Sequence, residues 1–178
     1  MKILERKRLI FMDAKFTKLK NEKVEFLSVA FVTDSDSKLY LELEQPHMAN
    51  GTGEREENIE VVETDPNGGS FLSKEQARDA ILEFIDENYA KYEKPMLITN
   101  MSSYCWLALC HLFEKMEIPF HKIPLDFSTM LYMHSIDPDT SKEQLAWHYQ
   151  IKLEGDRNHA LYNATLLKRL YEKVILGW

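Results

Sequence analysis

Apolar and polar positions along this chain follow two different periods. Up to residue 43 the apolar residues come in short runs. Leu9-Ile10-Phe11-Met12 is unbroken and ends on Asp13, the pattern of a strand buried on both faces that delivers a charged group to the rim of a sheet. Val24–Thr33 is rich in β-branched and aromatic residues, which predicts a second strand. Asp34-Ser35-Asp36-Ser37 is a turn cluster, and the alternation over Lys38–Leu43 predicts a third strand that closes a hairpin. From Glu44 to Ser70 the pattern dissolves. That stretch is polar, rich in glutamate and broken by Pro46, Gly51, Gly53, Pro66, Gly68 and Gly69, so it predicts a long excursion with a short strand at Ile59–Val62.

Beyond residue 72 the period becomes helical. Ser73 with Gln76 three positions on is a capping-box signature for a helix to about Tyr92, with Ala77, Ala80, Ile81, Phe84 and Ile85 on one face. Pro95–Thr99 predicts a fourth strand. Ser102 or Ser103 then caps a second helix through about Met116, and a short apolar piece follows at Phe120–Ile123. Leu125–His134 reads as a helix, and Ser141 caps another through about His148. The last helix starts near Asn158 and carries Leu161, Ala164, Leu167, Leu170, Tyr171 and Val174 on one face.

Composition narrows the class. A chain of 178 residues with 44% hydrophobic and 29% charged residues suits one globular domain spanning 1–178. No apolar run approaches the roughly 20 residues that cross a bilayer, and the basic N-terminus lacks a signal-peptide pattern. Cys105 and Cys110 form neither a metal pair nor a disulfide framework, which suits a cytoplasmic protein. The net charge of -7 argues against a protein that coats nucleic acid through counterion release. It leaves room for a local basic patch at Lys2, Arg6, Lys7, Arg8, Lys15, Lys18, Lys20 and Lys23.

Three strands in a meander, then alternating helix and strand, then a C-terminal helix is the element order of an α/β domain of ribonuclease H-like type, a mixed sheet with helices on both faces. The motifs carry the order further. Phe11-Met12-Asp13-Ala14-Lys15-Phe16-Thr17 resembles the first motif of the DEDDh 3′–5′ exonuclease superfamily, phenylalanine-x-Asp-x-Glu-x-Thr. Phe26–Val32 and Leu39–Leu43 resemble the strands that follow it in small stand-alone bacterial and phage exonuclease-like proteins. Ser103-Tyr104-Cys105-Trp106-Leu107 resembles the second motif, Leu125–Leu131 the segment between motifs two and three, and Asn158-His159-Ala160-Leu161-Tyr162-Asn163-Ala164 the third, His-x-Ala-x-x-Asp-Ala.

The resemblance implies a fold and, at first sight, a chemistry. In that superfamily four carboxylates hold two divalent metals, and a histidine takes the proton of the attacking water. Matched residue by residue, the first Asp is kept as Asp13 and the histidine as His159. The Glu is Lys15, the second-motif Asp is Cys105 and the third-motif Asp is Asn163. Three of the four metal-ligand positions are thus degenerate, and Asp13 alone is left as a metal ligand. Residues two apart on a strand share a face, so Lys15 is expected to turn its ammonium toward Asp13 and neutralise it. Asn163 keeps an acceptor without charge, and Cys105 is a poor Mg²⁺ ligand.

The expected protein is therefore an exonuclease-like pseudoenzyme without cofactor, working by binding single-stranded nucleic acid or a protein, with a homodimer open and no membrane role. An active enzyme using Mg²⁺ or Mn²⁺ would need replacement acids such as Asp126, Glu154 or Asp156, or one metal on Asp13 and His159. A protein-interaction module would use the acidic excursion. His159 has the bland alternative of a helix-start residue bonded to backbone, and Cys105 that of a small buried filler. His111, His121, His134 and His148 lack ligand spacing, and Trp147, Tyr149 and Tyr162 read as core.

Overall fold

The computed structural model of the chain describes residues 8–17, 24–44, 71–114 and 116–178. The Glu44–Ser70 excursion beyond Glu44, its strand at Ile59–Val62, and Lys2, Arg6, Lys7, Lys18, Lys20 and Lys23 lie outside them.

Five strands form one mixed sheet in the order β3-β2-β1-β4-β5: β1 Leu9–Phe16, β2 Phe26–Thr33, β3 Lys38–Glu42, β4 Met96–Thr99 and β5 Leu125–Asp126. The β1–β2 and β2–β3 pairs are antiparallel, whereas β1–β4 and β4–β5 are parallel. The helices are α1 Lys74–Asn88, α2 Ser102–Phe113, α3 Phe127–Met133, α4 Lys142–His148 and α5 Ala160–Leu170. A π-helical turn, Tyr171–Ile175, extends the last of these.

The continuous apolar run of β1 is explained by its two buried faces. Ile10 and Met12 pack with α1 and α2 residues such as Ile81 and Leu109, while Phe11 packs with Leu131, Ala164 and Leu167 of α3 and α5. Helices thus cover both sides of the sheet.

β1 is longer than the segment Leu9–Asp13, because β2 pairs with it as far as Phe16, past a register shift between Lys15 and Phe16. β4 accompanies β1 only over Leu9–Phe11. Asp13 and Lys15 therefore project beyond the carboxyl end of β4, the place where open α/β sheets form their crevices.

Four helix boundaries differ from the sequence pattern. α1 stops at Asn88, since Tyr89 turns extended (φ -130°, ψ 152°), is 6% exposed and donates its hydroxyl to the Leu9 carbonyl at 2.9 Å. α2 begins after Met101 with no side-chain cap of its own, so neither Ser102 nor Ser103 caps it, and the Ser102 amide donates to Asp126 at 3.0 Å instead. α2 ends at Phe113, where Glu114 takes φ 50°. Leu125–His134 splits into β5 and α3, because Asp126 ends the strand and caps the helix through the Thr129 amide. Ser73 and Ser141 both form complete capping boxes. Trp147, expected in the core, is 83% exposed, while Tyr149 and Tyr162 pack against the α5 side of the sheet. No helix among the described residues is long and apolar enough to cross a membrane.

Candidate functional site

A cleft of about 290 Å³ opens where β1 outruns β4. Its walls include Asp13 and Lys15 from β1, Thr99 from β4, Cys105 from α2, Lys142 and Glu143 from α4, and Arg157 and Asn163 at the entry to α5. A second hollow beside Glu25, Lys74 and His111 holds about 10 Å³, room for a water at most. The fold therefore brings the matched motif positions Asp13, Lys15, Cys105 and Asn163 to one place. His159 is not part of the cleft wall.

Asp13 is not paired with Lys15. Its Oδ2 accepts from the ammonium of Lys142 at 2.5 Å, and the two side chains are 16% and 14% exposed. The Ser141 capping box fixes the first turn of α4 and sets Lys142 at its first helical position, which carries the ammonium across to β1. Lys15 shares the face of Asp13 but makes no ion pair among the described residues, and neither does Arg157. The cleft wall then carries three cations, Lys15, Lys142 and Arg157, against two carboxylates, Asp13 and Glu143.

Cys105 is 2% exposed, with its Sγ 3.0 Å from the Thr99 hydroxyl. Burial pushes its thiol up to about 12, which the Thr99 hydrogen bond partly opposes and the nearby Asp13 carboxylate reinforces. It is an uncharged filler of the cleft floor rather than a nucleophile.

Asn163, expected to offer an acceptor, acts as a donor. Its Nδ2 donates to the Arg157 carbonyl at 2.8 Å and to the His159 carbonyl at 3.2 Å. Because both partners are carbonyl oxygens, a carboxylate at this position would be repelled by them. The amide clamps the loop that carries Arg157 onto α5.

His159 is the N-cap of α5. Its Nδ1 accepts from the Leu161 amide at 3.2 Å, and its ring lies 4.1 Å from that of Tyr40 on β3. Of the three candidate replacement acids, Asp126 serves two helix starts, Asp156 accepts from the Asn158 amide at 2.8 Å within its own loop, and Glu154 is exposed. None of the three lines the cleft. The other histidines stay apart as well: His111 meets the Val24 carbonyl, His134 the Met130 carbonyl, and His121 the Ile123 amide.

The donor set does not fit a pair of divalent metals. Among the described residues no three His, Cys, Asp or Glu side chains converge. Asp13, the one acid among the matched metal-ligand positions, is neutralised by an ammonium, where Mg²⁺ would need hard anionic oxygens.

Sequence reasoning singled out neither Lys142 nor Arg157. The capping box announced the start of α4, but nothing local announced that its first residue would meet a strand 129 residues earlier.

Sheet order, helix placement and cleft position define the class: a ribonuclease H-like fold of the exonuclease type. Comparison with solved structures supports that assignment. The nuclease domain of 3′hExo, a DEDDh family member, bound to rAMP, aligns over 97% of this chain and 94% of its own, with a TM-score of 0.69 at 11% identity. A 3′-exonuclease in a structure of 3′-end specific recognition of a histone mRNA stem-loop aligns over 96% and 82%, with a TM-score of 0.68 at 12% identity. S. pombe Pop2p in a Mg²⁺- and Mn²⁺-bound form aligns over 95% and 84%, with a TM-score of 0.53 at 10% identity. At such identities the likeness is one of fold. No family profile and no curated protein sequence matches the chain.

Proposed function

We propose that this chain is an exonuclease-like domain that has given up hydrolysis and holds single-stranded nucleic acid in the cleft beside β1. The observation that carries this reading is the Asp13–Lys142 pair, which neutralises the one carboxylate kept from the exonuclease motifs. Two-metal hydrolysis needs several carboxylates to bring two dications together and stabilise the phosphorane charge. Lys15, Cys105 and Asn163 supply a cation, a buried thiol and an amide in their place. His159, at the general-base position, caps a helix and packs on Tyr40, so it is a structural group in this reading.

Binding is favoured over a purely structural role because the cleft wall carries an excess of cations although the chain is acidic. Exposed Met101 and Tyr104 stand at and beside its rim, the first lining the cleft and the second beside Phe16, where they offer apolar surface to unstacked bases. The free thiols Cys105 and Cys110 suit a reducing cytoplasm.

The expected result in a gel-shift assay at low salt is a retarded complex with single-stranded oligonucleotides. The complex should weaken steeply as salt rises, since each cation–phosphate contact releases counterions. Equal mobility of free and protein-treated strands at low salt would contradict the proposal.

A further inference from the structure

We infer that the cleft holds a phosphate ester without any metal, gripped by Lys15 and Arg157 against the internally neutralised Asp13–Lys142 pair. This rests on the binding reading above and states how binding is achieved.

The charges that line the cleft are unequally committed. An ammonium has three donors, and Asp13 takes one from Lys142. The pair cancels the acid that would otherwise repel a phosphate, and both partners are largely withdrawn from solvent. Lys15 is half-buried on the same strand face and has no carboxylate partner among the described residues. Arg157 lines the same cleft, with a guanidinium suited to bidentate phosphate recognition.

The third replacement completes the arrangement. Asn163 donates to the backbone carbonyl of Arg157 itself, so the former acid position secures the loop that presents the guanidinium. Asn163 is thus a positioning residue. A carboxylate there would repel the carbonyl and release the loop. Each replacement at the degenerate motif positions removes a negative charge, and Lys15 adds a positive one. Together they convert a site for cations into a site for an anion.

The test is fluorescence anisotropy with fluorescein-labelled oligouridylate and oligothymidylate and the full 178-residue chain, in EDTA and in Mg²⁺. The expected affinity in Mg²⁺ is no higher than in EDTA, because the grip uses side-chain cations and Mg²⁺ only competes with them for the phosphates. Lys15→Met and Arg157→Met should each weaken binding roughly tenfold. Each should also lower the slope of log K against log salt by about 0.7, the value for one phosphate contact on a single strand. Asp13→Asn should bind at least as tightly as the parent, since it removes a negative charge and frees Lys142. Thermal melts of each variant exclude loss of folding as the cause.

If the strands bind but Lys15→Met and Arg157→Met keep the parental affinity and slope, this inference is overturned and the binding function stands. If binding requires Mg²⁺ and Asp13→Asn abolishes it, Asp13 is a metal ligand and the inference is overturned as well. If no strand binds under any condition, the inference and the proposed function fall together.

Discussion

Cys105→Asp lowers the free energy of unfolding by about 3–5 kcal/mol in urea denaturation, the range for a buried charge without a compensating partner. The side chain at this position is 2% exposed and has the Thr99 hydroxyl as its hydrogen-bond partner. The forces that push the thiol up to about 12, burial first and the Asp13 carboxylate with it, would act on a carboxylate too. Lys142 offers little relief, because it already serves Asp13. Asn163→Asp adds a smaller loss of about 1–3 kcal/mol, as an oxygen replaces the Nδ2 that now donates to two carbonyls. Placing acids at all three positions with Lys15→Glu, Cys105→Asp and Asn163→Asp thus gives, in EDTA, a protein well below the parent in stability. An unchanged urea midpoint for Cys105→Asp would mean that the cleft floor is wetter or more adaptable than its burial implies.

Lys168→Ala costs about 2–4 kcal/mol by the same measurement, chiefly by leaving a cavity and by taking the donor from the Asp34 carbonyl. Lys168 is 1% exposed, and its ammonium donates to the Asp34 carbonyl at 2.9 Å and pairs with Asp36 at 2.7 Å. Both partners lie in the β2–β3 turn, where Asp36 holds the left-handed conformation at φ 68°. The side chain therefore ties the hairpin to α5, the helix whose first turns carry His159 and Asn163. The hydrogen bond to Lys168 is the main reason that the Asp36 carboxyl stays below its ordinary 3.8. This group adds stability above pH 3.8 and loses it as pH falls through its lower folded value, and that acid dependence should shrink in the variant, where only Arg169 and Lys38 still favour the charged form. Lys168→Met, which refills the space, should recover part of the loss. A cost below about 1 kcal/mol for Lys168→Ala would show that the hairpin holds itself.

What could be read from the sequence was local. The unbroken run ending at Asp13, the turn cluster after Thr33 and the boxes at Ser73 and Ser141 all take their meaning from neighbours a few residues away, and each sits in the structure where its pattern put it. Asp13, Lys15, Cys105 and Asn163 also gather at one cleft, whose wall leaves out His159. What could not be read was pairing at long range. Lys15 was the natural partner of Asp13 by strand period, yet α4 brings in Lys142. Tyr89 leaves its helix for the Leu9 carbonyl, and Asp126 spends its carboxylate on two helix starts instead of a metal. Asn163 could be recognised as uncharged, but its use as a donor follows only from the carbonyls that face it.

The central claim is that this cleft binds a strand without cutting it. Its most direct test is incubation of 5′-labelled single-stranded RNA and DNA with excess protein in Mg²⁺ or Mn²⁺, beside an EDTA control and the Asp13→Ala and His159→Ala variants. The account predicts full-length label at every time point under conditions where anisotropy shows the strand bound. Metal-dependent shortening from the 3′ end, lost in both variants, would contradict it and make Asp13 and His159 catalytic.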